Sequence, residues 1–407
     1  MTLVECFDRS VANNIVSCLR FRPDQVVFLG VEEEMQAPLK RLRSFFSAKG
    51  IDTKVQGCHV DLRDIPGITQ KLLALVGETD NCIIDITGGD ERILLAVGAM
   101  LAGLDEQQRQ RVSVHKFDAD TGTFCDFSGP DRQLPEKAGN LSVAELIALH
   151  GGIVFPSTHQ PEAYWTVEDM EPLWRIAAQD PTQWNRKLSV LAEFESWADS
   201  LQQVFIMLQF VQGRMAGYTD KRARLADLLR QFRESGVITD LSRNGILEYT
   251  YTTELNRMCT LKAGNILEVK ALLEARRMQK DGKPFFHDCV MGVQIDWDGV
   301  VHDAQQHIPE THNEIDLILM QGMTPLFVSC KNGDVDESEL YKLHTVATRF
   351  GGQRARKMLI VSQLVKKNQA SAAAFAQRAA DMGIYLVPDA SEFTAEDWQE
   401  AFQKAML

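Results

Sequence analysis

Short apolar runs alternate with longer amphipathic ones over roughly the first 130 residues. Strands are predicted at Leu3–Phe7, Gln25–Gly30, Val55–Val60, Asn81–Ile86 and Val112–Phe117, with helices at Ala12–Leu19, Ala37–Lys49, Ile68–Val76 and Arg92–Leu104 between them. Strands that alternate with helices pair in parallel, so this order predicts a Rossmann-like α/β sheet with helices on both faces. Such sheets bind ligands beyond the carboxyl ends of their strands. The loops after Phe7, Gly30 and Ile86 are therefore candidate binding loops.

Helical periodicity replaces this alternation from about Leu141 to Leu247. It is carried by Leu141–His150 and Val190–Met215, while Leu225–Ile238 is typical of a helix that leads into a small hairpin. The pattern predicts a helical connector, for which a winged helix is one possible form. Its default role is mechanical, and nucleic-acid contact through a wing is the alternative.

The order of elements changes again after Tyr251. Helices are predicted at Asn265–Met278, Glu337–Phe350 and Gln369–Met382, and strands at His287–Trp297, Asn313–Gln321, Leu326–Cys330 and Lys357–Ser362. We therefore expect three parts: an N-terminal α/β domain (1–140), the connector (141–250) and a C-terminal α/β domain (251–407).

Composition narrows the class of protein. The 407 residues, 45% hydrophobic and 24% charged, are typical of a globular protein with more than one core. The eight cysteines are scattered without a C-x-x-C pair, which argues against a zinc cluster and a disulfide framework. The sequence has no secretory signal, and its apolar runs are too short to span a bilayer, so we expect a cytoplasmic protein without membrane contact.

The formal net charge of −13 argues against a general nucleic-acid coat protein, because Lys and Arg dominate phosphate binding. Local basic clusters occur in the second half of the chain, and each is either a solvated helix face or a guide for a polyanion. They comprise Lys221, Arg222 and Arg224; Arg276, Arg277, Lys280 and Lys283; and Arg354, Arg356, Lys357, Lys366 and Lys367.

The segment Asp85-Ile-Thr-Gly-Gly-Asp-Glu-Arg92 follows an apolar strand and opens a helix. Two glycines allow close backbone approach, Thr87 supplies a hydroxyl, and the helix start presents free N–H groups, a combination that suits phosphate or a nucleotide. It is neither a Walker A loop nor G-x-G-x-x-G. A plain tight turn is the alternative interpretation.

A strand, Asp85-x-Thr-Gly-Gly and a helix resemble the signature of CARF domains, the cyclic-oligoadenylate sensors of type III CRISPR immunity. The loop Asp8-Arg-Ser-Val-Ala-Asn-Asn14 and the strand after Arg22 are similar to that family's first ligand loop and second strand. The resemblance implies a homodimer activated by cyclic tetra-adenylate. It assigns ligand binding to Asp8, Arg9, Ser10, Asn13, Thr87, Gly88, Gly89, Asp90 and Arg92. Family members follow the glycines with Thr or Asn and then a basic residue, whereas Asp90 and Glu91 precede Arg92 here.

The second half of the chain offers candidates for phosphodiester hydrolysis, which needs carboxylates for a divalent cation and a basic group near the reacting phosphate. Asp316 on one predicted strand and Lys331 at the end of its neighbour would share a sheet edge, and Glu268 on the preceding helix can point there. An acid and a lysine at strand ends are, by themselves, more often solvated caps.

This order of elements resembles the PD-(D/E)xK nuclease fold, and Asn313-Glu-Ile-Asp316 with Val328-Ser-Cys-Lys331 resembles the nuclease half of CARF-linked effectors of antiviral defence. The resemblance implies an allosterically activated endonuclease that cleaves DNA or RNA, with Mn²⁺ or Mg²⁺ as cofactor. It assigns catalysis to Glu268, Asp316, Ser329 and Lys331, and metal binding to Glu268, Asp316 and the carbonyl of Cys330.

Ser329 stands where that family has Asp or Glu, and a neutral hydroxyl is a weaker ligand for a hard cation. Either Glu268 or Glu314 compensates, or the enzyme is slow, metal-selective or inactive; we favour compensation. The leading hypothesis is a ligand-activated nuclease dimer with the ring ligand on its two-fold axis. The alternatives are a catalytically degenerate sensor or adaptor that keeps the nuclease fold, and a nucleotide-dependent metabolic enzyme.

Overall fold

The computed structural model describes residues 1–118, 122–127, 132–134, 139–155, 161–200, 202–240, 245–297, 299–300, 312–333, 335–365 and 368–407. The chain forms two compact units, each gathered from three stretches of sequence. Unit 1 comprises Met1–Val154, Asp296–Thr311 and Arg349–Arg354, and unit 2 comprises Phe155–Ile295, His312–Thr348 and Ala355–Leu407. Neither unit is one continuous piece of the sequence. Lys366 and Lys367 of the third basic cluster lie outside the described residues.

Unit 1 contains a seven-stranded sheet. Its strands are β1 Thr2–Cys6, β2 Gln25–Gly30, β3 Lys54–His59, β4 Cys82–Asp85, β5 Val112–Asp118, β6 Thr123–Asp126 and β7 Arg132–Leu134, in the order β3-β2-β1-β4-β5-β6-β7. The first five strands of that order pair in parallel, and β6 and β7 add antiparallel pairs at one edge. The predicted Rossmann-like sheet is confirmed.

The helices of unit 1 are α1 Val16–Phe21, α2 Glu32–Ala48, α3 Ile65–Gly77, α4 Glu91–Gly103, α5 Glu106–Arg109 and α6 Val143–Leu149. All five residues of β1 are buried, as expected for the central strand of a sheet covered on both faces. Apolar residues of α3 and α4 pack with those of β1, β4 and β5 in one core. The carboxyl ends of β1 and β4, neighbouring strands, therefore present their loops at the same edge of the sheet.

The chain passes from unit 1 to unit 2 at strand β8, Ile153–Phe155. The helices α7 Val167–Gln179, α8 Pro181–Glu195, α9 Leu208–Gln212, α10 Tyr218–Glu234 and α11 Glu254–Leu261 follow, with strands β9 Gln203–Met207, β10 Ile238–Thr239 and β11 Ile246–Tyr251. The three strands form an antiparallel sheet in the order β10-β11-β9. The helix leading into an antiparallel strand pair agrees with the prediction.

The predicted helical stretch Val190–Met215 is wrong in its middle, where β9 lies. Val204 and Ile206 are buried and Phe205 and Met207 are exposed, which is the alternation of a strand. The two exposed positions are also apolar, so the polar face that marks a strand in sequence is missing.

The rest of unit 2 is built on a second sheet. Its elements are α12 Asn265–Arg277, β12 Gln279–Lys280, β13 Lys283–Pro284, β14 Asp288–Asp296, β15 His312–Gln321, β16 Thr324–Lys331, α13 Glu337–Gly351, β17 Arg356–Val361, α14 Gln369–Asp381, β18 Ile384–Val387 and α15 Ala395–Ala405. Five strands neighbour one another in the order β18-β17-β16-β15-β14. The pair β15–β16 is antiparallel, whereas β16–β17 and β17–β18 are parallel. This mixed sheet with flanking helices confirms the predicted α/β class of the C-terminal part.

All eight cysteines are free thiols. None of the helices in the described ranges is both long and apolar enough to cross a membrane.

Candidate functional site

The loop after β4 is held in place by the side chains of Asp85 and Thr87. Asp85 Oδ1 accepts a hydrogen bond of 2.5 Å from the N–H of Thr87, and the hydroxyl of Ser17 donates to Oδ2. Thr87 Oγ1 in turn accepts from the N–H of Phe117 at 2.7 Å, which ties the loop to β5. The Thr87 hydroxyl therefore fixes the loop, whatever further contact it makes.

Asp8 joins the two loops that the sequence predicts as ligand loops. Its Oδ1 accepts from the N–H of Ser10 at 2.6 Å, and its Oδ2 accepts from the N–H of Gly89 at 2.9 Å. Asn14 holds the backbone of Asp8 from both sides, with its Oδ1 2.8 Å from Asp8 N and its Nδ2 2.6 Å from Asp8 O. The structure thus brings the loops after β1 and β4 together.

The two glycines of this loop have different requirements. A Cβ on Gly88 would lie 2.6 Å from Asp8 Oδ2, so glycine is needed there for close approach to the protein's own side chain. Gly89 has φ +100°, and its Cβ would lie 2.5 Å from Cys6 Cβ. The positive φ of the Gly-Gly pair is therefore at Gly89.

A cavity of about 380 Å³ opens beside these loops in unit 1. Its lining includes Asp8, Arg9, Gly89, Asp90, Arg92 and Gln353. Arg92 binds Asp90 through two hydrogen bonds of 2.7 Å, and this arginine lowers the pKa of Asp90 to about 2. Arg9 is paired with Glu34 at 2.5 Å. Asp90, one of the two acids that depart from the family pattern, is thus ionised and has its charge balanced by Arg92.

Two acids lie behind the loop, where β1 and β4 pair. Glu5 and Asp85 are register partners, with 2% and 1% of their surface exposed. Burial and the neighbouring Asp85 hold the pKa of Glu5 well above its usual range. Burial likewise raises the pKa of Asp85, although its bonds from Ser17 and Thr87 oppose the shift. Burial and the charge of Asp85 therefore both act against ionisation of Glu5.

Arg354 is a residue of this site that the sequence interpretation missed. Its guanidinium donates to Asn13 Oδ1 at 2.7 Å and lies 5.0 Å from the ring centre of Phe117. Burial lowers the pKa of Arg354, while Asp8 and Asp85 act in the opposite direction. In the sequence Arg354 is only one member of a basic cluster, and sequence alone does not place it beside a loop more than 300 positions away.

The second candidate site lies where β15 and β16 separate. The last paired residues of the two strands are Leu317 and Val328. Asp316 precedes Leu317 and lies where the strands separate. Asp316 Oδ2 accepts from the N–H of Cys330 at 2.6 Å, so a carboxylate takes the place of a backbone partner. The same oxygen lies 3.1 Å from Ser329 Oγ and 3.4 Å from Lys331 Nζ. Asp316, Ser329 and Lys331 therefore form one cluster, as predicted.

Lys331 also contacts an acid that the sequence interpretation did not single out. Glu339, in the first turn of α13, has a carboxylate oxygen 3.3 Å from Lys331 Nζ. Burial disfavours the charge on Lys331, but Asp316 and Glu339 outweigh it and raise the pKa of the ammonium. Lys331 thus remains a cation between two acids.

Glu268 stands in the first turn of α12. Burial raises its pKa to about 8, and the negative charges of Asp316 and Glu314 add to the effect, whereas Lys331 and Lys262 oppose it. The electrostatic effect of Asp316 and Glu314 on Glu268 shows that these three acids share one neighbourhood. The site therefore carries an excess of carboxylates over cations.

The nuclease resemblance implies a divalent cation at this site. Within the described ranges, no three His, Cys, Asp or Glu side chains are placed close enough to hold a metal ion by themselves. The donor chemistry nevertheless fits, because hard cations take carboxylate and carbonyl oxygens and Glu268, Asp316 and Cys330 supply both kinds. A cation would also offset the repulsion that raises the pKa of Glu268.

No protein-family model matches the sequence, and a comparison with curated protein sequences finds no match. Among solved structures, protein VC1899 from Vibrio cholerae matches with a TM-score of 0.71 and 16% identity over 100% of this chain and 97% of that one. Can2 from Sulfobacillus thermosulfidooxidans, solved in complex with cyclic tetra-adenylate, matches with a TM-score of 0.64 and 15% identity over 100% and 99%. The chain shares their fold.

A type III CRISPR defence DNA nuclease activated by cyclic oligoadenylate is a weaker match, with a TM-score of 0.46 and 14% identity over 90% of this chain and 45% of that one. The two sheets of this chain and the likeness to Can2 confirm the predicted α/β fold class, with a Rossmann-like sheet in unit 1 and a mixed sheet in unit 2. At these identities it speaks for the fold alone. The roles of the individual site residues stay predictions.

Proposed function

We propose that this protein is a cytoplasmic, homodimeric nuclease of antiviral defence that a cyclic oligoadenylate activates and that cleaves DNA or RNA with a divalent cation. The observation that carries the proposal is the joint presence of two built sites on the fold shared with Can2. One is the cavity between the loops joined by Asp8, and the other is the cluster of Asp316, Lys331 and Glu268.

The first site suits a phosphate-rich ring. One cavity is surrounded or flanked by backbone groups of two loops and by Arg9, Arg92 and Arg354. Backbone N–H groups and guanidinium groups recognise phosphate. A ring of identical nucleotides has rotational symmetry, so two copies of the chain can bind it through equivalent surfaces. Cyclic tetra-adenylate, the molecule bound by Can2, is the activator we propose.

In the second site, Glu268, Asp316 and the Cys330 carbonyl would hold Mn²⁺ or Mg²⁺. When bound, the cation polarises the phosphate and lowers the pKa of a water molecule. Lys331, which the two acids keep protonated, stabilises negative charge that develops on the phosphate. Glu339 is a positioning residue, since it holds the Lys331 ammonium from the side of α13.

The test combines cleavage with thermal stability. Plasmid DNA and labelled RNA are incubated with the protein, with and without Mn²⁺ or Mg²⁺ and cyclic tetra-adenylate, and cleavage is expected only when cation and ring are both present. A ring in hundredfold excess over its dissociation constant should add about 2.7 kcal/mol of stability. Lys331→Gln should keep this stabilisation and lose cleavage. The absence of any thermal shift with tetra- or hexa-adenylate rings would contradict the proposed sensing function.

A catalytically degenerate sensor is the second candidate function, and Ser329 is the observation that favours it. Its hydroxyl donates to Asp316 instead of supplying a second carboxylate. A wild-type protein that binds the ring but never cuts, together with a Ser329→Glu variant that cuts, would establish this alternative.

A further inference from the structure

Helix α13 carries Glu339 near its start and leads directly into the 3₁₀ turn Gly352–Arg354 at its end. Glu339 in its first turn contacts Lys331 in unit 2 at 3.3 Å. Its last residues, from Arg349 onward, belong to unit 1, together with the short 3₁₀ turn Gly352–Arg354 that follows. A single continuous stretch of helical backbone therefore links the partner of the candidate catalytic lysine to the 3₁₀ turn.

All three residues of this turn lie at the sensing loops. Gly352 has φ +60°, and a Cβ there would be 3.8 Å from Ser10 Oγ. Gln353 is exposed and lines the cavity. Arg354 donates to Asn13. None of the three was predicted as a ligand residue, yet they stand beside two that were.

We propose that Gln353 and Arg354 bind the cyclic oligoadenylate and that α13 transmits this binding to Lys331 through Glu339. The inference rests on the proposed function and adds ligand residues and a route of regulation to it. Arg354 suits this role because its guanidinium has five N–H donors in a fork that matches a phosphate. A phosphate that competes with Asn13 for Arg354 binds one position of the C-terminal end of α13 more tightly than another. A ligand shifts a conformational equilibrium only through such a difference in affinity.

The binding step is tested by calorimetry with cyclic tetra-adenylate. Arg354→Ala should raise the dissociation constant about 10- to 100-fold, the usual effect of losing a hydrogen bond between charged groups. Gln353→Ala should have a smaller effect in the same direction. Arg349→Ala is the matched control, because Arg349 is an exposed arginine of the same unit whose guanidinium lies over the ring of Phe350, whereas Arg354 meets Asn13 of the sensing loop. Its dissociation constant should be unchanged. An Arg354→Ala variant that binds as tightly as the wild type would overturn the assignment.

The transmission step is tested in the middle of α13, where Thr345 and Thr348 are exposed. Replacing both by glycine loosens the helix, whereas replacing both by alanine removes the same side chains and keeps it stiff. In the glycine pair, the stimulation of cleavage by the ring should fall about tenfold, which is within the usual range of allosteric coupling. Ring binding should be nearly unchanged. The alanine pair should keep its stimulation.

Equal stimulation in both pairs would exclude α13 as the route, even if the wild type binds the ring and cleaves. A wild type that neither binds nor cleaves would instead overturn the proposed function. Retained ring binding in the glycine pair shows that unit 1 is still folded, and retained stabilisation by Mn²⁺ shows the same for unit 2, to which both threonines belong. A loss of stimulation is then not a loss of structure.

Discussion

In unit 1 the carboxylates that line the candidate sensing cavity accept hydrogen bonds from backbone N–H groups and arginines, whereas in unit 2 the carboxylate of Glu268 has further carboxylates as neighbours. Asp8 is bonded by Ser10 and Gly89, and Asp90 by Arg92. Glu268 instead has its pKa raised to about 8 by burial and by neighbouring acids. The carboxylates of the sensing loops therefore have their partners within the folded chain. The second site has more negative than positive charge, and a bound cation would balance it. Substitutions in the two units should separate these behaviours.

The largest effect is expected at Asp316. Asp316→Ala should lower activated cleavage by more than the 10- to 100-fold that is typical for outer-shell partners of a metal. It should also lower the free energy of unfolding by about 1–3 kcal/mol, because the N–H of Cys330 loses its acceptor. Asp316→Asn is the matched variant, since an amide oxygen can still accept from Cys330 while the charge is gone. It should fold normally and remain inactive. Wild-type cleavage by either variant would show that the active site lies elsewhere.

The next effect concerns Gly89 in unit 1. Gly89→Ala should destabilise the protein by about 1–3 kcal/mol and abolish the thermal shift with the ring, because its φ is +100° and its Cβ would meet Cys6. Gly98→Ala is the control: Gly98 lies within α4 with open space around its Cβ, so alanine should stabilise by up to about 1 kcal/mol. A normal thermal shift in Gly89→Ala would contradict the proposed place of ring binding.

Glu268 should make stability depend on pH. Its pKa is about 8 in the folded protein and near 4.5 when unfolded, so the stability it contributes is fully present below pH 4.5 and is lost as the pH rises towards 8. Glu268→Gln should remove this dependence and raise stability at pH 8 by on the order of a few kcal/mol. Denaturant unfolding at pH 5 and pH 8 measures both effects.

Stabilisation by Mn²⁺ is a second measurement on Glu268. If Glu268 binds the cation, Mn²⁺ should stabilise the wild type more than it stabilises Glu268→Gln. Glu254→Gln, a change at an exposed acid of the same unit, should respond to pH and Mn²⁺ as the wild type does. Equal stabilisation of Glu268→Gln and the wild type by Mn²⁺ would remove Glu268 from the metal ligands.

The smallest effect is expected at Ser329. Its hydroxyl contributes one hydrogen bond of 3.1 Å to Asp316, so Ser329→Ala should cost about 1 kcal/mol or less and leave cleavage within a few-fold of the wild type. Ser329→Glu should tighten metal binding and permit Mg²⁺ where the wild type prefers Mn²⁺. Cleavage across a titration of each metal compares the three proteins. Severe loss in Ser329→Ala would show that the hydroxyl has a direct role.

The sequence predicted the five parallel strands of unit 1 and the nearness of Asp316 to Lys331, because both follow from short-range patterns and strand ends. It missed the two antiparallel strands β6 and β7 at the edge of that sheet. It missed β9, whose outward side chains Phe205 and Met207 are apolar. It also missed Glu339 and Arg354. Each is one charged residue on or after a helix, and only tertiary packing decides which partner it meets. The domain limits at 140 and 250 stay predictions.

The interleaving of the two units has a consequence for the order in which this protein can form. Unit 1 takes its last residues, Arg349–Arg354, from far along the sequence. During synthesis the first 154 residues leave the ribosome long before these six, so an early fragment would lack the guanidinium that meets Asn13. Contacts across such sequence separations close slowly. Proteolytic or recombinant fragments ending near residue 150 should therefore fold less stably than the same residues do within the whole chain.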